Sequence, residues 1–213
     1  MVRRLLSLAV VIALVGTGAA LAARGDPQKR ITPADQARAK SMLLRKSDFS
    51  PAFAAGPASG GASDFYCAAL DESDLTLTGE AESPSFAGGF EFLTSTAYVY
   101  KSRADSDASW KRGTSAAGQK CIREGLRREV QGTSVRLVSF RKIPFPGFGQ
   151  RSVLYRAVAE REGIRVYVDL VALQQSRAQV AIVYGAGLMP PPAAEERRLA
   201  KVTAARMARA MRG

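Results

Sequence analysis

Few side chains in this sequence could carry chemistry. Asp71 and Asp74 lie in an acidic stretch that also holds Glu72 and continues to Glu80 and Glu82, and Asp169 stands among apolar residues. Two carboxyl groups about 5–9 Å apart across a pocket would suit glycoside hydrolysis. An acid/base pair drawn from Asp71, Asp74 or Asp169 is therefore the enzymatic reading, that of a wall-polymer hydrolase. Simpler roles compete with it: a solvated acidic loop for the first two, and for Asp169 a structural salt bridge to Arg156 or Arg165. Ser139-Phe140-Arg141-Lys142 has the S-x-x-K spacing of serine acylases, which requires a helix to bring both ends to one face. The segment alternates as a strand, where residues three apart point to opposite faces, so the match is fortuitous. Asp105-Ser106-Asp107-Ala108-Ser109 opens like a calcium loop. Trp110 stands where the turn glycine is needed and Ala116 where the bidentate glutamate belongs, so a helix N-terminus explains it better.

The chain contains no histidine. That removes Ser-His-Asp and Cys-His nucleophiles and the H-E-x-x-H metal site. No glycine-rich phosphate motif occurs, and a zinc ion would need ligands from two distant cysteines and carboxylates. No catalytic residue, cofactor or metal site is expected. The two cysteines, Cys67 and Cys121, are expected to form one disulfide if the chain is exported, worth ~4 kcal/mol by loop entropy.

Export is what the N-terminus suggests. Arg3 and Arg4 precede an apolar run from Leu5 to Leu21, and Ala20-Leu21-Ala22 has the small-x-small form of a cleavage site. Residues 1–22 read as a secretory signal; a retained membrane anchor is the alternative. Residues 23–31 form a polar, flexible lead-in, and 32–213 form one α+β domain. The net charge is +12 with a pI near 10.2. Arginine outnumbers lysine and asparagine is absent, the signature of a GC-rich bacterial coding bias, which weakens a functional reading of the basic residues. Export and the lack of aromatic-interleaved basic stretches argue against nucleic acid. The acidic partners left are a small amphipathic or anionic envelope ligand and an anionic membrane surface, both salt-sensitive.

The elements that must position these groups follow from periodicity. Thr32-Pro33-Ala34-Asp35 starts a helix running to about Lys46. Residues 54–63, AAGPASGGAS, read as a flexible loop, followed by a short segment around Phe65-Tyr66-Cys67. Leu75–Gly79 and Phe90–Tyr100 alternate as strands, with a turn or disordered tip at Ser83–Gly89. Two helical stretches, Ser102–Ser115 with Trp110 and Gly118–Val130 with Cys121, precede four strands: Val135–Ile143, Ser152–Arg161, Ile164–Gln174 and Gln179–Tyr184. Glu162-Gly163 is a hairpin turn. Ala193–Met211 is a final helix with an apolar stripe (Leu199, Val202, Thr203, Met207) and a basic face. Its shallow, alanine-rich stripe suits docking on a sheet better than insertion into lipid. The fold class is α+β: an antiparallel sheet of about five to seven strands with N-terminal, middle and C-terminal helices packed on it.

Several of these short patterns occur together in one group of proteins. They are the export signal, Met42-Leu43-Leu44 ahead of Ser47-Asp48-Phe49, and Leu75-Thr76-Leu77-Thr78-Gly79. Val99-Tyr100-Lys101-Ser102 before Trp110 and Cys121, and Pro146-Gly147-Phe148-Gly149-Gln150-Arg151-Ser152 before Tyr155-Arg156, complete the set. The chain resembles actinobacterial secreted sensor-like domains, the extracellular domain of PknH-type kinases and PsbP-like envelope proteins, over about residues 32–210. The resemblance implies a sheet, helices and a cleft for a small ligand, and no catalytic residues. The chain departs from the kinase sensors in lacking a kinase domain and in having one cysteine pair where two are expected.

The loop Lys142–Ser152, KIPFPGFGQRS, is the candidate lip of such a cleft. Phe145 and Phe148 flanked by Arg141 and Arg151 would suit an amphipathic anion, and Trp110 is the large apolar residue of the middle helix. The competing role is a hairpin connection whose rings cover the sheet end. The overall expectation is an exported, non-catalytic domain that binds a ligand or partner in the cell envelope.

Overall fold

Thr32 caps the first helix: its Oγ1 accepts from the Asp35 N–H at 3.2 Å, with Pro33 at the first position. This helix, α1 (Pro33–Met42), ends where Leu43 turns extended, earlier than the apolar pattern to Lys46 suggests. The Leu44 N–H then donates to Ser95 Oγ at 3.0 Å, which lets Met42, Leu43 and Leu44 all point into the core. The computed structural model describes residues 25–58 and 66–212. The expected secretory signal at 1–22, Phe65 and residues 59–63 of the expected flexible loop lie outside the described residues.

The architecture is α+β, as the pattern of elements indicates. Among the described residues nine strands join in one sheet: β1 (Gln28–Lys29), β2 (Ala54–Gly56), β3 (Thr76–Glu82), β4 (Ser85–Gly88), β5 (Glu91–Tyr100), β6 (Arg136–Ile143), β7 (Arg151–Arg161), β8 (Ile164–Gln175) and β9 (Ala178–Gly187). The order is β1-β3-β5-β9-β8-β7-β6, with β4 on β5 and β2 on β4. Only β1 with β3 is a parallel pair; the other pairs are antiparallel. The sheet exceeds the five to seven strands legible in the sequence because β1, β2 and β4 are two to four residues long. Ala54–Gly56, expected as loop, pairs with Ser85–Ala87, expected as a turn or tip. Strands this short have too few residues to show alternation.

The β6–β9 meander follows the sequence closely. At Glu162-Gly163 both residues have positive φ, 52° and 79°, the backbone that a two-residue hairpin with right-twisted strands requires. Alternation divides the sheet into two faces. On the first, Leu93, Ala97, Val99, Leu154, Leu173 and Ile182 are at most 2% exposed. Covering that face are α1 and the final helix α4 (Ala193–Ala210), which buries Leu199, Ala200, Thr203, Ala204 and Met207. The apolar stripe therefore docks on protein, and Arg197, Lys201 and Arg209 face solvent.

The second face carries α2 (Arg103–Thr114) and α3 (Ala116–Glu129). Ser106 and Ser109 are the buried residues of α2. Gln174 on β8 donates to Ser106 Oγ (3.0 Å) and Asp107 Oδ1 (2.9 Å), and Gln179 on β9 donates to the Ser106 carbonyl (2.7 Å). This helix is held by hydrogen bonds rather than by an apolar stripe, so it leaves the sheet beside it incompletely covered.

Helix and sheet approach closely at Gly79 on β3, where an added Cβ would run into the Asp35 carbonyl of α1. The obstruction is backbone, which cannot rotate away. Gly79→Ala should destabilise the protein by about 1–3 kcal/mol, visible as a lowered denaturation midpoint; an unchanged midpoint would refute this account of the α1 docking.

Candidate functional site

Tyr98 and Tyr100 are two apart on β5, so both rings project from the second face. Glu80 is the cross-strand neighbour of Tyr98 on β3, and Gln179 its neighbour on β9. Three further segments wall in this corner: Gly25–Lys29, Leu70 with Glu72, and Ser109 of α2. Together they enclose a hollow of about 330 Å³, within the range of small-ligand sites. Leu70 ends a short 3-10 turn (Ala68–Leu70) that begins right after Cys67. Cys67 is bonded to Cys121 of α3, with Cα atoms 6.2 Å apart, so the predicted disulfide pins this wall to the middle helices. Gly118 keeps α2 and α3 close: an added Cβ would meet the Arg112 carbonyl, with Leu70 Cδ2 at 3.2 Å.

A polar network lies at the inner end of the hollow. The Tyr100 hydroxyl donates to Glu72 Oε2 at 3.1 Å and sits 2.8 Å from Ser109 Oγ. Burial pushes the Glu72 carboxyl above its ordinary pKa, and the hydrogen bonds from Ser109 and Tyr100 only partly oppose it. Burial likewise raises Tyr98 and Tyr100, and the charges of Glu80 and Glu72 add to the effect at Tyr98. The Tyr98 hydroxyl has no hydrogen-bond partner among the described residues. Lys29 pairs with Glu80 at 2.6 Å, and Arg112 grips Asp74 through two bonds of 2.6 and 2.7 Å.

The acidic stretch is thus divided. Asp71 accepts from the Tyr66 hydroxyl at 2.9 Å and from the Ser73 N–H at 2.9 Å, and Asp74 belongs to Arg112. Of Asp71, Glu72 and Asp74, Glu72 turns inward and joins Glu80 in the lining of the hollow. Composition offered no signal for this, because its role depends on the strand partner Tyr100, 28 residues away.

The loop residues are distributed differently from a single lip. Phe145 and Phe148 pack on each other with centroids 5.4 Å apart, half-buried against the edge of the first-face core. Phe145 also borders an open hollow with Lys142, Pro144, Ser152 and Val153. Arg141 and Arg151 do not line it. Arg151 pairs with Asp107 at 3.0 Å and donates to Gln174 at 3.1 Å, and Arg141 lies opposite Arg156 on β7. Trp110 is half-buried on α2 and lines neither hollow. Of the two loop glycines, Gly149 has positive φ, 65°.

Asp169 has the partner expected from the sequence. Arg156 bonds it through Nε (2.7 Å) and Nη2 (2.5 Å), and Asp169 is fully buried. Glu196 of α4 joins them, 4% exposed, with Oε1 3.7 Å from Arg156 Nη2. That separation is too long for a hydrogen bond. One guanidinium already committed to Asp169 does not hold a second buried carboxylate ionised. Burial, reinforced by the hydrogen bond and charge of Asp169, raises the Glu196 pKa to about 9. The two carboxyls touch beneath a helix instead of facing each other across a cleft. Among the described residues no group of three or more acidic, cysteine or histidine side chains could hold a metal ion, and no helix is long and apolar enough to cross a membrane.

No known protein family matches the sequence, and no curated protein matches it. Among solved structures, an uncharacterised protein from Mycobacterium smegmatis is similar, with a TM-score of 0.46 and 14% identity over 81% of this chain and 97% of the other. That likeness is too distant to carry a function across.

Two measurements probe this geometry. Glu196 keeps its proton in the fold up to about pH 9, whereas an unfolded glutamate releases it near 4.3. Between those values the unfolded state binds fewer protons, so the stability that Glu196 contributes is complete at acid pH and is lost as pH rises. Glu196→Gln keeps the neutral shape. It should exceed the wild type by about 1–2 kcal/mol at pH 8 and match it near pH 4, as read from urea melts; equal melts at both values would rule out the neutral form. Cys67→Ser with Cys121→Ser should cost about 4 kcal/mol at most and should increase hydrogen exchange first around Ala68–Glu72.

Proposed function

We propose that this chain is an exported, non-catalytic binding domain of the cell envelope, and that its ligand occupies the hollow lined by Tyr98, Tyr100 and Glu72. The observation that carries this reading is the hollow itself. It is walled by the sheet and three further segments, it has a buried polar network at its inner end, and a disulfide holds one wall. Glu72 turns inward with only the hydroxyls of Tyr100 and Ser109 to offset the cost of its burial, which supports a role for the hollow beyond packing. The disulfide supports the export part of the reading, since such bonds persist in oxidising compartments.

The hydrolase reading finds less support. Asp169 and Glu196 share a hydrogen bond under α4 and reach no hollow, and Asp71 and Asp74 are engaged with Tyr66, Ser73 and Arg112. The basic charge of the chain and the open hollow at Phe145 leave room for an anionic membrane surface as a second contact.

Native mass spectrometry of protein purified from the envelope of its own host tests the proposal. A bound small molecule should appear on the wild type and disappear in Leu70→Trp, which fills the hollow from its wall. Pro27→Trp, at a more peripheral position, serves as the second blocking variant. A ligand retained by both folded variants would disprove the assignment of this hollow.

A further inference from the structure

Seven large apolar or aromatic residues are exposed among the described residues, and four of them, Phe90, Ile164, Leu188 and Met189, meet at one end of the sheet. The backbone brings them together. The Gly187 N–H donates to the Phe90 carbonyl at 2.9 Å and the Leu188 N–H to the Arg165 carbonyl at 3.0 Å, so the ends of β5, β8 and β9 lie side by side. The four residues line neither the Tyr98 hollow nor the hollow at Phe145. Leu188 adds a separate observation. Its φ is 70°, and the Met189 N–H donates across it to the Gly187 carbonyl at 2.8 Å, the pattern of the rare, strained γ-turn. Glycine takes such a backbone freely, and a large side chain seldom does. Leucine gains little burial in exchange, since Leu188 is 58% exposed and Met189 beside it 72%. A strained turn that holds two apolar side chains in solvent does nothing for the core.

The charge behind this tip comes from α4. The β7–β8 hairpin is balanced, with Arg161 and Arg165 against Glu160 and Glu162. From Arg197 to the C-terminus, by contrast, the chain has six cations and no acidic side chain. Arg198 is engaged by Glu195 and Arg206 by Asp48. Arg197, Lys201 and Arg209 are exposed along one line of the helix and make no ion pair among the described residues. A rise of 1.5 Å per residue places Arg197 and Lys201 about 6 and 12 Å along the helix from Ala193, which follows Met189 by four positions. The headgroup layer of a bilayer is of similar depth, roughly 5–8 Å on each side.

We propose that this sheet end is a contact site for an anionic bilayer: Phe90, Ile164, Leu188 and Met189 enter the acyl boundary while Arg197 and Lys201 meet lipid phosphates. Binding of this kind grows with the apolar area buried and with attraction to anionic lipid. A second copy docked tip to tip would bring the same cations together, whereas a phosphate-bearing surface neutralises them. The Tyr98 hollow lies at the opposite end, where β5 finishes and β9 begins. The tip therefore stands independently of that hollow and leaves it turned away from the bilayer.

Tryptophan fluorescence of the intact protein tests the assignment. Met189→Trp and Phe90→Trp, each combined with Trp110→Phe, place a single reporter on the tip, and Trp110 of the wild type, on α2, is the control. Such a reporter reads insertion of the tip independently of residues 1–24. With vesicles of equal parts phosphatidylglycerol and brominated phosphatidylcholine, both tip reporters should be quenched about twofold and Trp110 should not. Arg197→Gln with Lys201→Gln should raise the lipid concentration for half-maximal quenching about fivefold, and added salt should act in the same direction. Leu188→Gly should also raise it about fivefold, while its thermal midpoint should not fall, because glycine suits the backbone of that turn. Unquenched reporters at both tip positions, equal quenching on vesicles without phosphatidylglycerol, or a Leu188→Gly protein that melts lower and inserts unchanged overturns the proposal. Tip emission that shifts with protein concentration in the absence of lipid identifies a second copy as the occupant and overturns it as well.

Discussion

The corner that forms the hollow depends on one half-buried ion pair. Asp35, in the first turn of α1, is held by Arg177 from the β8–β9 turn through bonds of 2.7 and 2.8 Å, and Arg38 adds a third at 2.7 Å. Arg177 Nη1 also donates to the Tyr100 carbonyl at 2.8 Å. A single guanidinium therefore joins the first helix, the last hairpin and the end of β5. The hydrogen bonds from Arg177 hold the Asp35 carboxyl well below the usual carboxylate range, so the pair stays charged throughout the neutral pH range. Tyr100 points into the hollow from the residue whose carbonyl Arg177 grips. Planar, bidentate recognition is what makes arginine suited to this position, since lysine would supply one point of contact.

Around that clamp the two faces of the sheet follow different physics. The first face is closed by apolar burial, with α1 and α4 laid over leucine, valine and alanine side chains, and Arg206 of α4 binding Asp48 through two bonds of 2.6 and 2.7 Å at its edge. The second face is closed by specific hydrogen bonds. Gln174 and Gln179 position α2 without filling the space beside it, and α3 is tied down by Cys121. Burial that is non-directional compacts a surface completely. Directional contacts fix distance and orientation, and so can leave a gap. The hollow lies on the face where the second mechanism operates.

Much of the architecture was legible because periodicity is local. The strands from Arg136 to Gly187, the Glu162-Gly163 turn and the docked stripe of α4 all appear in runs long enough to show their period. The cysteine pairing was legible by count alone. The hollow was not, and the reasons are particular. Prolines and glycines mark the loop of Phe145 and Phe148, flanked by Arg141 and Arg151, as a candidate lip. In the structure the rings brace the sheet edge, and Arg151 is taken by Asp107 and Gln174. Glu72 read as one residue of a solvated acidic stretch. Tyr98 and Tyr100 read as ordinary strand residues. Nothing in their immediate neighbours distinguishes them.

By itself the sequence determined the α+β class, the order of the long elements, the cysteine bridge and the absence of any imidazole. Each of these depends on residue type or on spacing within about a dozen positions. Tertiary structure alone decided that Glu72 meets Tyr100, that Glu196 meets Asp169 and Arg156, and that Asp35 meets Arg177 across 142 residues. Those contacts come from register and helix docking. A carboxylate's burial and charge are set by the strand opposite it, and that partner is chosen only when the chain has folded.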